Sequence, residues 1–212
     1  MEAFAYKVKR SRRKTLSLSI ERDGSVLVRA PLTANDGAVR DFVSRHREWV
    51  EKKVREFHPV TLDLSDGAEL ILFGAPYTIA TGRTRMAGDI VYLPAEGREA
   101  ALRRLLMRFV REVMEVFTSR LARRYDFTYS GVAVSSARGR WASCSRERVV
   151  RYSFRIAFLS TRLVEYIAVH ELCHTLHFDH SPAFWAEVGA VLPDYKERRA
   201  ELKDRSGVMN VL

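Results

Sequence analysis

The feature that most restricts this chain is the run His170-Glu171-Leu172-Cys173-His174. Two histidines four residues apart face the same way only on a helix. They then sit one turn apart, roughly 6 Å in rise, and their imidazoles can converge on one Zn²⁺ at about 2.0–2.1 Å each. Glu171, beside the first histidine, is placed to reach a water on the metal rather than the metal itself. The flanking sequence supports the helix: Ser160 or Thr161 can cap it, and Leu163, Val164, Ile167, Ala168, Leu172 and Leu176 supply an apolar stripe. Two ordinary polar histidines on a surface helix are the simpler reading, but another histidine follows shortly after the run.

A catalytic zinc takes three protein ligands and keeps a fourth position for water. His180 lies six residues beyond His174, the spacing of HExxHxxGxxH, in which the chain leaves the helix and swings the last histidine back. His177 stands where that pattern has glycine. On an intact helix His177 faces the same way as His170 and His174, but lies about 10 Å along the axis from His170, out of reach of a metal held by the first pair. Ser181 and Pro182 read as the N-cap and first residue of a new helix, so a break at Phe178-Asp179 is expected independently. Phe184, Trp185, Val188, Val191 and Leu192 would bury that helix's inner face. Glu187, on the same helix, is the alternative third ligand.

Upstream, alternation predicts a short antiparallel meander over Ala5–Lys9, Thr15–Ile20 and Val26–Val28, with a tight turn at Asp23-Gly24. Thr33 and Asp36 suggest a capping box, followed by one helix to about Phe57, where Pro59 ends it. His46 falls on the apolar stripe of that helix and reads as a packed core residue. Three further strands are expected at Glu69–Phe73, Tyr77–Ala80 and Ile90–Leu93. A long amphipathic helix follows over Gly97–Tyr125, then strands at Gly131–Ser135 and Val149–Phe158, and a helical last third. The order predicts an α+β fold in one domain over 1–212, with a β-rich part over 1–95 and a catalytic part over 97–212.

Apolar residues make up 47% of the 212, enough for a real core, and no apolar run is long enough to cross a bilayer. The basic opening has no apolar stretch after it and does not read as a secretory signal. Two cysteines, Cys144 and Cys173, do not make a disulfide framework; a reducing cytoplasm fits best, and both read as small buried hydrophobes. The net charge of +10 concentrates in Lys7–Lys14 and in a segment holding Arg103, Arg104, Arg108, Arg111, Arg120, Arg123 and Arg124. Nucleic acid is a possible partner for such a surface, but without a nucleic-acid fold signature a solvated turn and an outer helix face are the simpler account.

Five separated stretches resemble the YgjP-like metallopeptidases, relatives of the SprT and WLM groups. They are His170–His174, His180–Trp185, Pro193–Arg199, Arg140–Ser145 and Lys9–Leu18. Arg140-Trp-Ala-Ser-Cys-Ser145 has Ala142 where the family usually has glycine, which permits positive φ more easily. The resemblance implies a zincin-type catalytic region with ligands His170, His174 and His180, Glu171 as base, and a peptide or protein substrate. The expected chemistry is amide hydrolysis, with zinc activating water and polarising the carbonyl while Glu171 moves the proton to the leaving amine. Tyr195, Arg198 and Arg140 are candidates by type for the oxyanion, though each is more simply structural, and Trp141 could flank a bound peptide. The rival is a basic nucleic-acid- or protein-binding module with a structural zinc, which leaves Glu171 unexplained; a DNA-associated SprT-like protease is the other variant.

If Lys7–Lys14 contacts nucleic acid, binding should fall steeply as salt rises. We expect little selective binding by fluorescence anisotropy. A sequence- or structure-selective submicromolar complex at physiological salt would instead favour the DNA-associated variant.

Overall fold

Val26, Val28 and Ala30 alternate with Leu27, Arg29 and Pro31, and all three of the first set are buried. That one-sided apolar face makes Val26–Pro31 (β3) the middle strand of the first sheet. Tyr6–Ser11 (β1) runs parallel to it and Ser17–Ile20 (β2) antiparallel, in the order β1-β3-β2. The expected meander is thereby corrected: the strands exist, but the first pairs with the third. Lys7, Lys9 and Arg10 suit β1 to an edge, where long cations reach water. The computed structural model describes residues 4–21, 24–55 and 61–212, without the side chains of 206 and 210. Gly24 has the positive φ (79°) of the expected turn, while Asp23 lies outside the described residues.

The helix after β3 starts later and breaks earlier than the pattern suggests. Asn35, a stronger cap than Thr33, accepts from the Ala38 N–H at 2.8 Å and opens Asp36–Arg45 (α1). Arg47–Arg55 (α2) follows. His46 is exposed between them, correcting its placement in the core; its ring nitrogen lies 2.8 Å from the Phe42 carbonyl at the helix end. Phe57 and Pro59, where the helix was expected to end, lie outside the described residues.

These elements belong to one compact unit, Met1–Val60; a second, Thr61–Leu212, holds everything that follows. Its first sheet comprises Glu69–Leu72 (β4), Ala75–Thr81 (β5), Arg85–Ala87 (β6) and Ile90–Leu93 (β7), in the order β4-β5-β7-β6 with β5 and β7 parallel. The β4–β5 hairpin turns on Phe73 and Gly74, both at positive φ, as a two-residue type I′ turn requires. β6 has three residues and no apolar alternation, too short a signal to foresee. Arg98–Arg124 (α3) is the long helix, burying Leu102, Leu106, Val110, Met114 and Leu121.

The last sheet has Val149–Ser153 (β10) between Gly131–Ser135 (β8), parallel to it, and Ala142–Cys144 (β9), antiparallel. The strand expected to run to Phe158 stops at Ser153, where a 3-10 turn over Phe154–Phe158 begins. Within that turn the buried Arg155 donates to the carbonyls of Ser136 at 3.0 Å and Val211 at 2.7 Å, which fixes the segment leading to β9. Three helices close the chain: Thr161–Cys173 (α4), Pro182–Val191 (α5) and Tyr195–Asp204 (α6). α4 touches α3, β9, α5 and α6, so it is the packed centre of the second unit. The fold is α+β, as the sequence implied. No described helix is long and apolar enough to cross a membrane.

Within this core the Thr118 hydroxyl of α3 meets the Tyr152 hydroxyl of β10 at 2.9 Å, and both side chains are fully buried. Tyr152→Phe should cost about 1–2 kcal/mol by denaturant melting, because a buried polar partner is stranded. Val116→Ala, at a position 68% exposed, should stay within about 0.5 kcal/mol of the parent.

Candidate metal centre

α4 is buried along most of its length, and His170 and His174 emerge at its C-terminal end, where His174 is the cap. The chain then tightens: the N–H groups of Leu176 and His177 both donate to the Cys173 carbonyl. Since the helix ends here, Leu176 leaves the apolar stripe and is 52% exposed, correcting its expected burial. The turn returns at His180, and Ser181 caps α5 by accepting from the Phe184 N–H, with Pro182 opening the helix as expected. His177 does not have a positive φ, so the turn forms without the glycine of the HExxHxxG pattern.

This path brings His170, His174 and His180 together, with one candidate ligand atom from each, all within 4.8 Å of one another. The Nε2 atoms of His170 and His180 are 3.2 Å apart. His174 Nδ1 lies 2.8 Å from the His177 carbonyl, which can only accept, so Nδ1 carries the proton and Nε2 keeps its lone pair for the cluster. His177 thus contributes its backbone. Neither His177 nor Glu187 belongs to the cluster of candidate ligands among the described residues. Burial foremost, then the neighbouring His174 and His180, pushes His170 down to about 3, and burial also lowers His174. Neutral imidazoles with converging lone pairs fit a borderline divalent ion such as zinc.

Glu171 points from α4 toward β9 and is 6% exposed. Burial pushes its carboxyl up to about 7, countered by the Cys144 backbone N–H and by Arg140. Its Oε2 is buried without a hydrogen-bond partner, as is Nδ1 of His170. A cavity of about 270 Å³ opens over these groups, walled by Arg140 and Trp141 on one side and Leu202 of α6 on another, with Tyr166, His170 and Glu171 also lining it. Ala142 continues the first wall in β9, paired with Tyr152 and without positive φ, so the strand accommodates alanine there without strain.

Aromatic rings support the cluster. Phe184 stacks on His174 at 4.4 Å, and Trp185 lies 5.8 Å from His170 and 5.7 Å from His180. Tyr195 stacks on Trp185 in turn. Arg198 is held by Glu165 at 2.6 Å and Asp194 at 2.9 Å, which makes it a brace between α4 and α6. Burial pushes Cys173 up to about 12 and Cys144 up to about 11, so both stay thiols outside the cluster. Sequence reasoning missed Tyr166, although it lies four residues before His170 and therefore on the same face. It also missed the Cys144 N–H; a backbone donor from another strand leaves no mark on residue type.

A family profile described as the YgjP-like metallopeptidase domain matches residues 14–205, nearly the whole chain. No curated protein and no solved structure gives a significant match.

The geometry sets up a comparison of His177→Ala, His180→Ala and Glu187→Ala by zinc affinity in chelator competition. We expect His180→Ala to lose the most by a wide margin, and Glu187→Ala to lose little. Retained affinity in His180→Ala with loss in Glu187→Ala would transfer the third position to α5.

Proposed function

This chain belongs to the YgjP-like metallopeptidase family, and from its site we propose that it hydrolyses peptide bonds with zinc held by His170, His174 and His180 and Glu171 as general base. The observation that carries this reading is the buried carboxylate with an unpartnered oxygen beside three converging imidazoles. When bound, zinc supplies Lewis acidity toward a water molecule and the scissile carbonyl. The chain's own groups do the rest. The His174–His177 hydrogen bond fixes one ring's tautomer, and burial keeps His170 neutral.

Glu171 accepts the proton of the attacking water at its free Oε2 and passes it to the leaving amine, while the Cys144 N–H restrains the carboxylate. With a dication held by the histidines, the Glu171 carboxyl would lie below the value of about 7 that burial gives it and would be ionised near neutral pH. Tyr166 is the neutral donor best placed for the developing oxyanion. It lines the cavity with Glu171, its hydroxyl has no hydrogen-bond partner among the described residues, and burial raises its pKa so that it stays protonated. The substrate is a peptide or unfolded protein. β9 is an edge strand of its sheet, and an extended peptide can lie along it beside Trp141. Neither cysteine joins the histidines, which weighs against a closed structural zinc site.

Glu171→Gln should keep zinc and fold while losing about 10²-fold or more of hydrolysis, because an amide cannot take the water's proton. The measurement is turnover of peptide libraries and unfolded proteins by zinc-loaded enzyme. An active Gln variant, free of contaminating protease, would remove Glu171 from the role.

A further inference from the structure

The cations around α4 and α6 divide into two kinds. Arg162 reaches Asp194 at 2.8 Å and Glu201 at 2.7 Å, and Arg198 is held by Glu165 and Asp194, so both are neutralised locally. Arg199, the next residue, has no carboxylate partner among the described residues. Its guanidinium instead lies 4.7 Å from the centre of the Trp185 ring. Trp185 is itself stacked on Tyr195, with ring centres 5.5 Å apart and planes 17° from parallel. The same indole borders His170 and His180. Arg199 also sits one turn before Leu202, a residue that lines the cavity. On the other wall Arg140 is a second guanidinium, in close ion pair with no carboxylate among the described residues although its field reaches Glu171.

A stacked guanidinium is already ordered, so less entropy is lost when it binds an anion. Arg199 is also exposed to solvent, so a ligand can reach its guanidinium. It stands against Trp185, the ring that borders a histidine cluster able to hold a dication. An anion between the two would be attracted by both, and no described residue supplies a carboxylate to Arg199. The carboxylates that could have done so are bound to Arg162 and Arg198 instead. A planar carboxylate matches the guanidinium fork, whereas a neutral side chain would leave the charge unpaired.

We propose that the cleft selects peptides carrying a carboxylate close to the scissile bond, bound by Arg199 as a specificity residue with Arg140 extending the positive field. This rests on the peptide-hydrolysis reading of the site. The carboxylate belongs either to an acidic side chain or to a free C-terminus, sources that the same experiment separates.

Three matched peptides are needed: one with neutral side chains and a C-terminal amide, one with glutamate in place of glutamine, and one with a free C-terminal carboxylate. Binding of each to zinc-loaded Glu171→Gln protein is measured by calorimetry, and hydrolysis of each by the zinc-loaded parent is followed alongside. At least one carboxylate peptide should bind roughly ten-fold or more tighter than the neutral one, with the advantage shrinking as salt rises. Adding Arg199→Gln, with zinc content checked, should remove most of that advantage, and adding Arg199→Lys should retain part of it. Equal affinity for all three peptides overturns the proposal, and so does a preference that survives both Arg199→Gln and Arg140→Gln. If the binding preference is intact but the parent cleaves no peptide, carboxylate selection stands and the hydrolytic reading fails alone.

Discussion

Where α4 stops decides what the site can be. Had the helix continued through His177, the third imidazole would have been carried about 10 Å along the axis from His170, and no single ion could have met all three rings. The chain instead closes on the Cys173 carbonyl, frees the next residues from helical rise, and brings His180 back to within 3.2 Å of His170. The same turn aims the His177 carbonyl at His174 Nδ1, so one stretch of backbone both brings in one candidate ligand and orients another. Phe178, 53% exposed, lies on the outside of this turn.

That ending has to be held rigidly, and the packing around α4 explains how. The helix lies among α3, β9, α5 and α6 and presents only a short functional stretch to the cavity. Arg198 and Arg162 bind carboxylates of both α4 and α6, a bidirectional brace in which exposed pairs contribute little singly but the network restrains the angle between the helices. On the opposite side Ser153 and Arg155 hold the Ala137 and Ser136 carbonyls, positioning the segment whose Cys144 N–H reaches Glu171. Glu171 is therefore oriented by a strand that lies almost thirty residues before it in the chain.

This division also explains what could be read in the residues. The α4 and α5 boundaries, the break between them and the meeting of His170, His174 and His180 follow from spacing, caps and helical rise, all local quantities. α3 was legible because many turns of apolar periodicity reinforce one another. Strand partnership was not legible: β1 pairs parallel with β3 because β3 has the more completely apolar face, a comparison between strands rather than a property of either. β9 was recognised as a motif but not as a strand, since three residues with a serine at the centre carry no alternation worth reading. His46 shows the converse error, where stripe position suggested burial but a helix break turned the ring to solvent.

His170 and Glu171 carry burial penalties of opposite sense, and this ties the stability of the cluster to its chemistry. His170 is depressed from 6.5 to about 3, so its contribution to stability is present above about 6.5 and lost as pH falls through the window below. Glu171 is raised from 4.5 to about 7, so its contribution is present below about 4.5 and lost as pH rises toward 7. Near neutral pH the histidine is content and the carboxylate is not. A dication among the imidazoles reverses the second penalty, because the charge that burial disfavours on Glu171 then has a counter-charge beside it. Burial of the Glu171 carboxylate is thus a cost that the Cys144 N–H and Arg140 offset in part and that a cation at the histidines would offset further, at the residue proposed to accept the water's proton.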